Sequence, residues 1–311
     1  MTLHLVYRVY GGTNKKDRPP YFDKATCLAS FLRAAETADR EVIVLANGPI
    51  PDELTSLVAG RGQLIYLEGG PVKFQKSWLT SLRLPGKQGW PEEDLVYFCE
   101  DDYLHLPRAF VELEAAAEQI PAAHYFALYG STPRNPTHGP GVPFQEPASW
   151  AAAADVEVSG RRWVNIPSTA STFGARVGSL KEDFGIWWQG TIPYPTRYLD
   201  HEANMVLQGR YPYRWTELFA GPPETRFRTG VAELAANIVQ TPFRIAYQLR
   251  ALTRRENPHL FYAADPNLAC HLNLPLISPG TDWAEEARQA RAWAGLPDLD
   301  LSDLEVPRRP A

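Results

Sequence analysis

The sequence predicts an α/β fold in which a mainly parallel central sheet is flanked by helices. The first hundred residues alternate strand patterns with helix patterns, which is typical of parallel strands joined by helical crossovers. The segment at 95–99, LVYFC, is apolar throughout, as in a strand that is buried on both faces. With 311 residues and 44% hydrophobic content, the chain can bury a sizeable core. We therefore expect one large domain with appended segments.

The elements of the first half follow from periodicity and from capping signals. Residues 3–10 predict the first strand, and an amphipathic helix follows at 23–38 with Asp23 as its N-cap. The other predicted elements are strands at 41–46 and 63–67, helices at 52–59 and 72–84, the strand at 95–99, a helix from Pro107 to 119, and a strand at 125–129.

The second half is less regular. Residues 130–150 are rich in Pro, Gly, Ser, Thr and Asn, and predict a long loop. Residues 230–255 carry apolar positions at helical spacing and basic residues at the end. They indicate either two core-packed helices that meet at Pro242 or a helix on a membrane surface. The other predicted elements are strands at 156–158 and 162–166, helices at 176–183 and 197–208, and a strand-like segment at 211–215.

Composition excludes several classes of protein. The formal charge of −5 lacks the basic excess of a nucleic-acid binder, so we expect a small-molecule partner and no nucleic acid. Cys27, Cys99 and Cys270 are far apart and without CxxC spacing, which indicates neither a disulfide framework nor a zinc site. No apolar run approaches the ~20 residues of a membrane-spanning helix. We expect a cytoplasmic protein, with peripheral membrane contact left open.

The most informative segment is the end of the strand at 95–99, where Glu100, Asp101 and Asp102 follow one another. Open α/β sheets bind their ligands at the carboxyl ends of the strands. Three adjacent carboxylates repel one another unless a cation, hydrogen bonds or water compensate them. Carboxylate oxygens suit Mg²⁺ or Mn²⁺. The alternative is that the acids are solvated residues favoured by the dipole of the helix that begins at Pro107.

Several motifs resemble, in the same order, a group of bacterial nucleotide-sugar glycosyltransferases of the GT-A class. EDDY at 100–103 is similar to the D-x-D motif of that class, which holds Mg²⁺ or Mn²⁺ against the donor diphosphate. The sequence departs from the pattern at Leu272 and Asn273, and at Asn47, where aspartate is common. The matching segments are VYFCEDDYLH at 96–105, FALYGS at 126–131, NIPSTASTFGA at 165–175, LDHEANMVLQGR at 199–210 and CHLNLPLISPGTDW at 270–283.

The resemblance implies a Rossmann-like sheet with a smaller acceptor-side subregion, and a metal-dependent transferase. The enzyme would move a sugar from a nucleoside-diphosphate sugar to a hydroxyl of a small-molecule or glycan acceptor, with inversion. It also implies four segments within one domain. These are a nucleotide-sugar-binding half at 1–129, an acceptor and catalytic half at 130–223, a helical insertion at 224–260, and a C-terminal segment at 261–311 with a metal-ligand histidine and a closing helix.

The resemblance assigns the metal to Asp102 and His271. Glu100 falls where such enzymes face ribose or donor sugar, and Asp101 supports it. The alternative for His271 is an ordinary, partly buried imidazole.

The candidate base is Asp200, which matches the aspartate of the inverting members. Such a base must reach the acceptor hydroxyl on the face opposite the leaving group. Glu202 is a second catalytic candidate, but it projects from another face of the same helix. The alternative is that both acids only complement the dipole of the first helical turn.

The same class holds base and ribose at the end of its first strand, which here is Tyr7, Arg8, Val9 and Tyr10, and at the turn of Asn47. Arg8 or Lys73 could meet phosphate, with arginine the better bidentate donor. Ser171 and Thr172 could contact the donor sugar, although such turns are usually structural.

Two other functions stay open at this point. A metal-dependent nucleotidyltransferase would carry a glycine-rich basic loop after its first strand. The segment RVYGGTNKKDRPP at 8–20 matches such a loop only in part. The second is a non-catalytic carbohydrate- or nucleotide-binding protein of the same fold, which would not turn over nucleotide sugars. A serine hydrolase is disfavoured because no G-x-S-x-G motif occurs.

Overall fold

The computed structural model describes residues 1–12, 16–132, 149–192, 199–221 and 231–298. The strands are β1 (Leu3–Tyr10), β2 (Val42–Asn47), β3 (Gly62–Tyr66), β4 (Leu95–Glu100), β5 (Tyr103–His105), β6 (Ala123–Ala127), β7 (Val156–Val158), β8 (Arg161–Asn165), β9 (Phe173–Arg176), β10 (Leu260–Asp265) and β11 (Ala269–His271). The helices are α1 (Lys24–Thr37), α2 (Asp52–Val58), α3 (Phe74–Gln88), α4 (Ala109–Gln119), α5 (Val177–Gln189), α6 (Asp200–Leu207), α7 (Trp215–Ala220), α8 (Val231–Arg254) and α9 (Trp283–Ala294).

Nine of these strands form one sheet in the order β3-β2-β1-β4-β9-β6-β10-β8-β7. The pairs β2–β3, β1–β2, β1–β4 and β6–β10 are parallel, whereas β9 runs antiparallel to its neighbours β4 and β6. Strand β8 is also antiparallel to both of its neighbours, β10 and β7, at one edge of the sheet. The predicted α/β fold is therefore confirmed, with a mixed sheet whose core strands are mostly parallel. From β1 the chain moves outward to β3 and then returns to β4 on the other side of β1. That reversal creates a switch point at the carboxyl ends of β1 and β4.

Helices cover both faces of the sheet. Alternate residues of β1 point to opposite sides, so Leu5 and Tyr7 join the core under α1, α2 and α4, while Val6 joins the core under α3, α5 and α6. The same alternation places Tyr97 and Phe98 of β4 in the two cores. These central strands are apolar throughout because both of their faces are buried.

Helix α1 begins where the capping signal predicts it. The Asp23 side chain accepts a hydrogen bond from the Thr26 backbone N–H at 3.2 Å. Arg291 of α9 donates to the same carboxylate at 2.7 Å. The N-cap therefore also joins the last described helix to the first one.

The structure differs from the predicted elements in four places. Strand β9 occupies residues for which the sequence predicted no strand, and it forms because β4 and β6 supply hydrogen-bonding partners on both of its sides. The predicted strand at 211–215 is wrong, since α7 begins at Trp215. Helix α4 begins at Ala109, two residues after Pro107, and short β5 precedes it. Helix α8 continues through Pro242, whose missing hydrogen bond lies on the exposed side of the helix.

Some predicted segments lie outside the described residues. These are most of the loop at 130–150, the first part of the helix at 197–208, residues 224–230 of the insertion, and the chain after 298. Within the described ranges, no helix is both long enough and apolar enough to cross a membrane.

Candidate functional site

The acidic triplet lies at the switch point of the sheet. Glu100 is the last residue of β4 and is in register with Arg8 of the parallel strand β1. The chain then turns and enters β5, so Asp101 and Asp102 lie between two strands. The alternative of helix-capping acids does not apply, because α4 begins only at Ala109.

The first two acids each contact a basic side chain. Arg8 donates to Glu100 with 2.8 Å between Nη2 and Oε1. Lys24 Nζ lies 2.6 Å from Asp101 Oδ2, which also accepts the backbone N–H of Tyr10 at 3.0 Å. Charge repulsion within the triplet is thus compensated by protein cations.

The third acid, Asp102, forms the most connected group of the site. Its Oδ2 accepts hydrogen bonds from Lys16 Nζ at 2.7 Å and from Arg18 Nη2 at 2.9 Å. His271 Nε2 lies 3.2 Å from the same oxygen. Asp102 and His271 meet because β11 pairs antiparallel with β5, which places His271 opposite Tyr103, the residue after Asp102. The two rings stack with their centroids 4.7 Å apart, which orients the imidazole.

The Asp102 carboxylate is 2% exposed and stays ionised. Burial favours its protonated form, but the hydrogen bond and charge of His271 and the charge of Lys16 outweigh burial and hold the pKa of Asp102 well below its usual range. Its Oδ1 atom is buried, and no described residue donates a hydrogen bond to it. A buried carboxylate oxygen without a donor is costly unless a ligand completes it.

Lys16 lies between the two groups that the resemblance assigns to a metal. Its Nζ is 2.7 Å from Asp102 Oδ2 and 3.1 Å from His271 Nε2. Nε2 can donate to Asp102 or accept from Lys16, but it cannot do both at once. When Nε2 accepts, the ammonium group is bound by the same kinds of atom that coordinate a divalent ion.

A divalent ion fits this set of donors if the substrate completes its shell. Among the described residues, no group of three or more His, Cys, Asp or Glu side chains could hold an ion. The protein would supply His271 and the Asp102 carboxylate, whose Oδ1 atom accepts no hydrogen bond from the described residues. Mg²⁺ is often held by one or two carboxylates together with substrate phosphates and water.

Three of the predicted nucleotide contacts have structural roles. Tyr7 and Val9 are buried in the core between β1 and α1, so contact with a nucleotide would require this core to open. The Asn47 amide forms two hydrogen bonds with the backbone of Val72, at 2.8 and 2.9 Å. Asn47 therefore holds the segment before α3 against the end of β2.

The remaining nucleotide candidates are better placed for a ligand. Tyr10 is exposed at the end of β1, and Lys73 is exposed at the residue before α3. The Arg8 guanidinium lies over the rings of Phe74 and Trp78, at 4.9 and 5.2 Å from their centroids. These rings hold the planar group at the edge of the acidic triplet.

Ser171 and Thr172 are both buried immediately before β9. The Thr172 hydroxyl accepts a hydrogen bond from the Glu100 backbone N–H at 3.1 Å. Thr172 thus fixes the backbone at the start of the triplet.

The predicted catalytic acids lie in the first turn of α6. Burial raises the pKa of Asp200 to about 6, and the negative charge of Glu202 contributes to the shift. Glu202 is buried and accepts a hydrogen bond from the Tyr213 hydroxyl at 3.3 Å. The two carboxylates thus have different surroundings, as their positions on the helix predict.

A chain of contacts joins α6 to the Asp102 site. Asn204 donates to the Thr169 carbonyl at 2.9 Å, and the Thr169 hydroxyl donates to the Tyr129 carbonyl at 3.1 Å. The Tyr129 ring meets the His271 ring edge-on, with centroids 6.0 Å apart. The structure gives no direct contact between Asp200 and the triplet.

Sequence reasoning missed Lys16, Arg18 and Lys24 as parts of the site. The signal that could have identified Lys16 and Arg18 is the segment GGTNKKDR at 11–18, where two glycines and then basic residues follow the first strand. Lys24 lies beyond this segment, at the start of α1. A Cβ atom at Gly11 would lie 2.1 Å from the Pro49 carbonyl oxygen, so this close approach requires glycine.

No known family profile and no curated protein sequence matches this chain. Similar solved structures include S. aureus TarS 1–349, at 15% identity and a TM-score of 0.39, over 59% of this chain and 49% of that chain. Glucosyl-3-phosphoglycerate synthase from Mycobacterium tuberculosis, in complex with Mn²⁺, UDP and glucosyl-3-phosphoglycerate, is similar at 15% identity and a TM-score of 0.30, over 40% and 43% of the two chains. CMP:2-keto-3-deoxy-manno-octonic acid synthetase complexed with CTP is similar at 16% identity and a TM-score of 0.36, over 60% and 78%.

The match spans about half the length of the first two of these proteins, 49% and 43%. Two of the three neighbours hold a nucleotide, UDP in one and CTP in the other. At these TM-scores the likeness is partial and assigns no activity to this chain.

Proposed function

We propose that this chain is a metal-dependent glycosyltransferase that moves a sugar from a nucleoside-diphosphate sugar to a hydroxyl acceptor, with inversion. The observation that carries the proposal is the buried pair of Asp102 and His271 at the switch point of the sheet, 3.2 Å apart. One oxygen of this carboxylate has no hydrogen-bond partner among the described residues. Ligand sites of open α/β sheets lie at this position.

The basic residues around the triplet suit a diphosphate. Lys16 and Arg18 lie at Asp102, while Arg8 lies at Glu100. They attract the polyanionic donor and orient its phosphates beside the acids. When bound at Asp102 and His271, Mg²⁺ or Mn²⁺ would neutralise charge that develops on the departing diphosphate.

Asp200 is the proposed base. With a pKa of about 6, its carboxylate is mostly ionised at neutral pH and is a stronger base than an ordinary aspartate. It would accept the proton of the acceptor hydroxyl as that oxygen attacks the sugar carbon. Glu202, engaged by Tyr213, would modulate the pKa of Asp200.

A thermal-shift panel tests the donor class. Nucleoside-diphosphate sugars and nucleoside triphosphates are each added with and without Mn²⁺, since a ligand that binds only the folded state raises its stability. We expect a metal-dependent rise in Tm with at least one nucleotide sugar. A rise with triphosphates alone would indicate a nucleotidyltransferase. No rise with any nucleotide, together with a rise with free glycans, would indicate a carbohydrate-binding protein.

Two variants then separate binding from transfer. Asp102→Ala should abolish metal-dependent donor binding while the circular dichroism spectrum stays unchanged. Asp200→Asn should keep donor binding and reduce transfer by about 10²- to 10⁴-fold, the usual contribution of a general base. Full transfer by Asp102→Ala would refute the metal site, and full transfer by Asp200→Asn would place the base elsewhere.

A further inference from the structure

Helix α8 presents an apolar face to solvent. The side turned toward the protein carries the buried residues Arg244, Tyr247 and Ala251. On the opposite side, Ile238 is 64% exposed and Leu249 is 57% exposed. A surface helix normally carries charged and polar residues there. This helix is therefore apolar on the side that lacks a partner in the described structure.

The short helix α7 packs beside α8 and extends this exposed surface. The Thr241 hydroxyl and the Arg244 guanidinium of α8 both donate to the Leu218 carbonyl of α7, at 3.3 and 3.2 Å. Half of the large apolar side chains that the structure describes as exposed lie on these two helices. We define the α7–α8 surface by seven of them: Trp215, Phe219, Ile238, Val239, Ile245, Leu249 and Leu252.

The charge of this region is opposite to that of the rest of the chain. Residues 210–256 contain eight arginines and four glutamates, with no lysine or aspartate, and so carry a net charge of +4 in a chain of −5. Between residues 235 and 249, the one charged residue of α8 is Arg244, which is buried. The segment thus combines an uncharged apolar face with a basic surrounding sequence.

This combination favours one occupant. A second copy of the chain would bring two segments of +4 together, which like-charge repulsion opposes. An anionic lipid surface instead offers hydrocarbon to the apolar side chains and phosphate to the exposed Arg214 and Arg255. Arg244 and Arg254 do not take part, since the first is buried and the second pairs with two acidic side chains of α5. Tryptophan, which is 79% exposed at Trp215, is enriched at membrane interfaces. We propose that the α7–α8 surface binds the surface of a membrane that contains anionic phospholipid.

The position of α8 places such a membrane beside the proposed acceptor side. Gln248 of α8 donates to the Tyr213 carbonyl at 2.8 Å, and the Tyr213 hydroxyl contacts Glu202 of α6. The helix with the candidate base therefore lies against the membrane-binding helix. The membrane proposal itself does not depend on the proposed reaction.

Vesicle co-sedimentation of the full chain tests the proposal. Vesicles of phosphatidylcholine alone are compared with vesicles that also contain phosphatidylglycerol, at about 0.05 and about 0.5 M NaCl. We expect binding to the anionic vesicles that weakens at high salt. The double variant Ile238→Ser with Leu249→Ser should bind at least about tenfold more weakly, because it removes apolar area from the face.

A matched control uses exposed apolar residues elsewhere. Tyr66→Ser with Leu274→Ser changes residues that are 54% and 52% exposed outside the surface, and should bind like the wild type. Both double variants should keep the wild-type circular dichroism spectrum and donor-induced thermal shift, which separates this test from that of the reaction. Absence of vesicle binding, or equal loss in both variants, would overturn the proposal. A dimer in sedimentation equilibrium that Ile238→Ser with Leu249→Ser abolishes, without vesicle binding, would assign the surface to a second copy.

Discussion

Lys16 is the residue that most changes the interpretation of the acidic triplet. Its ammonium group contacts both Asp102 and His271, the proposed metal ligands. A divalent ion bound by His271 Nε2 would have to displace the ammonium group from that nitrogen. Lys16 would therefore compete with a bound ion for His271, and its displaced ammonium group would be available to pair with donor phosphates.

This competition gives a prediction for metal affinity. Lys16→Met should tighten Mn²⁺ binding by about fivefold, because the lysine is partly exposed and such an ion pair contributes up to about 1 kcal/mol. Electron paramagnetic resonance of free Mn²⁺ measures this without any turnover. The control is Lys24→Met, which removes the cation from Asp101 and should leave Mn²⁺ affinity unchanged. Weaker binding by Lys16→Met would contradict the competition.

The pKa of Asp200 predicts the pH dependence of transfer. Below pH 6 the carboxyl group is protonated and cannot accept a proton, so kcat/KM should fall about tenfold per pH unit on the acid side. Glu202→Gln removes a negative charge that raises this pKa, and should shift the acid limb to lower pH while transfer persists. The measurement is kcat/KM between pH 5 and 8. A limb that stays at the same pH in the variant would show that Glu202 does not control Asp200.

At the scale of elements, a buried ionic cluster holds α8 in place. Asp183 of α5 contacts the Arg254 guanidinium at the end of α8, and it lies 2.6 Å from His259 Nδ1 and 2.7 Å from the Tyr125 hydroxyl. Arg254 also reaches Glu182 at 2.8 Å, in an exposed pair. These contacts join the C-terminal end of α8 to α5.

We expect Asp183→Ala to destabilise the fold by about 3–5 kcal/mol, because it leaves buried cationic and polar groups without their partner. Urea unfolding measures the change. Glu182→Ala removes the exposed partner of the same arginine and should cost less than about 1 kcal/mol. If the two variants lose similar amounts of unfolding free energy, burial of the Asp183–Arg254 pair does not determine its contribution to stability.

The Asn47 amide joins β2 to the segment before α3. Asn47→Ala leaves the N–H and C=O groups of Val72 without partners, and should cost about 1–3 kcal/mol in urea unfolding. Gln63→Ala, at an exposed position of neighbouring β3, is the control and should change stability by less than about 0.5 kcal/mol. If Asn47→Ala leaves stability unchanged and weakens nucleotide binding instead, the amide contacts the ligand as the resemblance implied.

At the scale of the molecule, one sheet joins the predicted halves of the chain. Strand β9, from the second half, lies between β4 and β6 of the first half, and β10 pairs with β6. Unpaired strands and half-covered cores cannot form a stable unit. The proposed nucleotide-binding half, residues 1–129, therefore cannot fold without the strands that the second half contributes.

We predict that residues 1–129 alone do not fold and that the full chain unfolds in one cooperative transition. Tryptophan fluorescence and circular dichroism should give the same urea midpoint. Two separated transitions, or a folded fragment with native-like amide protection, would contradict the prediction.

The sequence predicted those elements and site residues whose signals come from neighbouring residues in the chain. Apolar runs identified β1, β2 and β4, and Asp23 identified the start of α1, because burial on both faces and capping are local requirements. The acids after β4 were recognisable because three carboxylates in succession need compensation. Strand β9 was missed because its pairing comes from β4 and β6, far away in the sequence.

The sequence by itself therefore determined the α/β class, the order of the first elements and the position of the acidic triplet at a strand end. Tertiary structure alone decided what compensates those acids, since Lys16 and Arg18 reach Asp102 from the segment after β1 and Lys24 reaches Asp101 from the start of α1. It also decided that His271 meets Asp102, through the pairing of β11 with β5. The physical reason is that charge compensation depends on distances in space, which strand pairing sets and local sequence patterns do not contain.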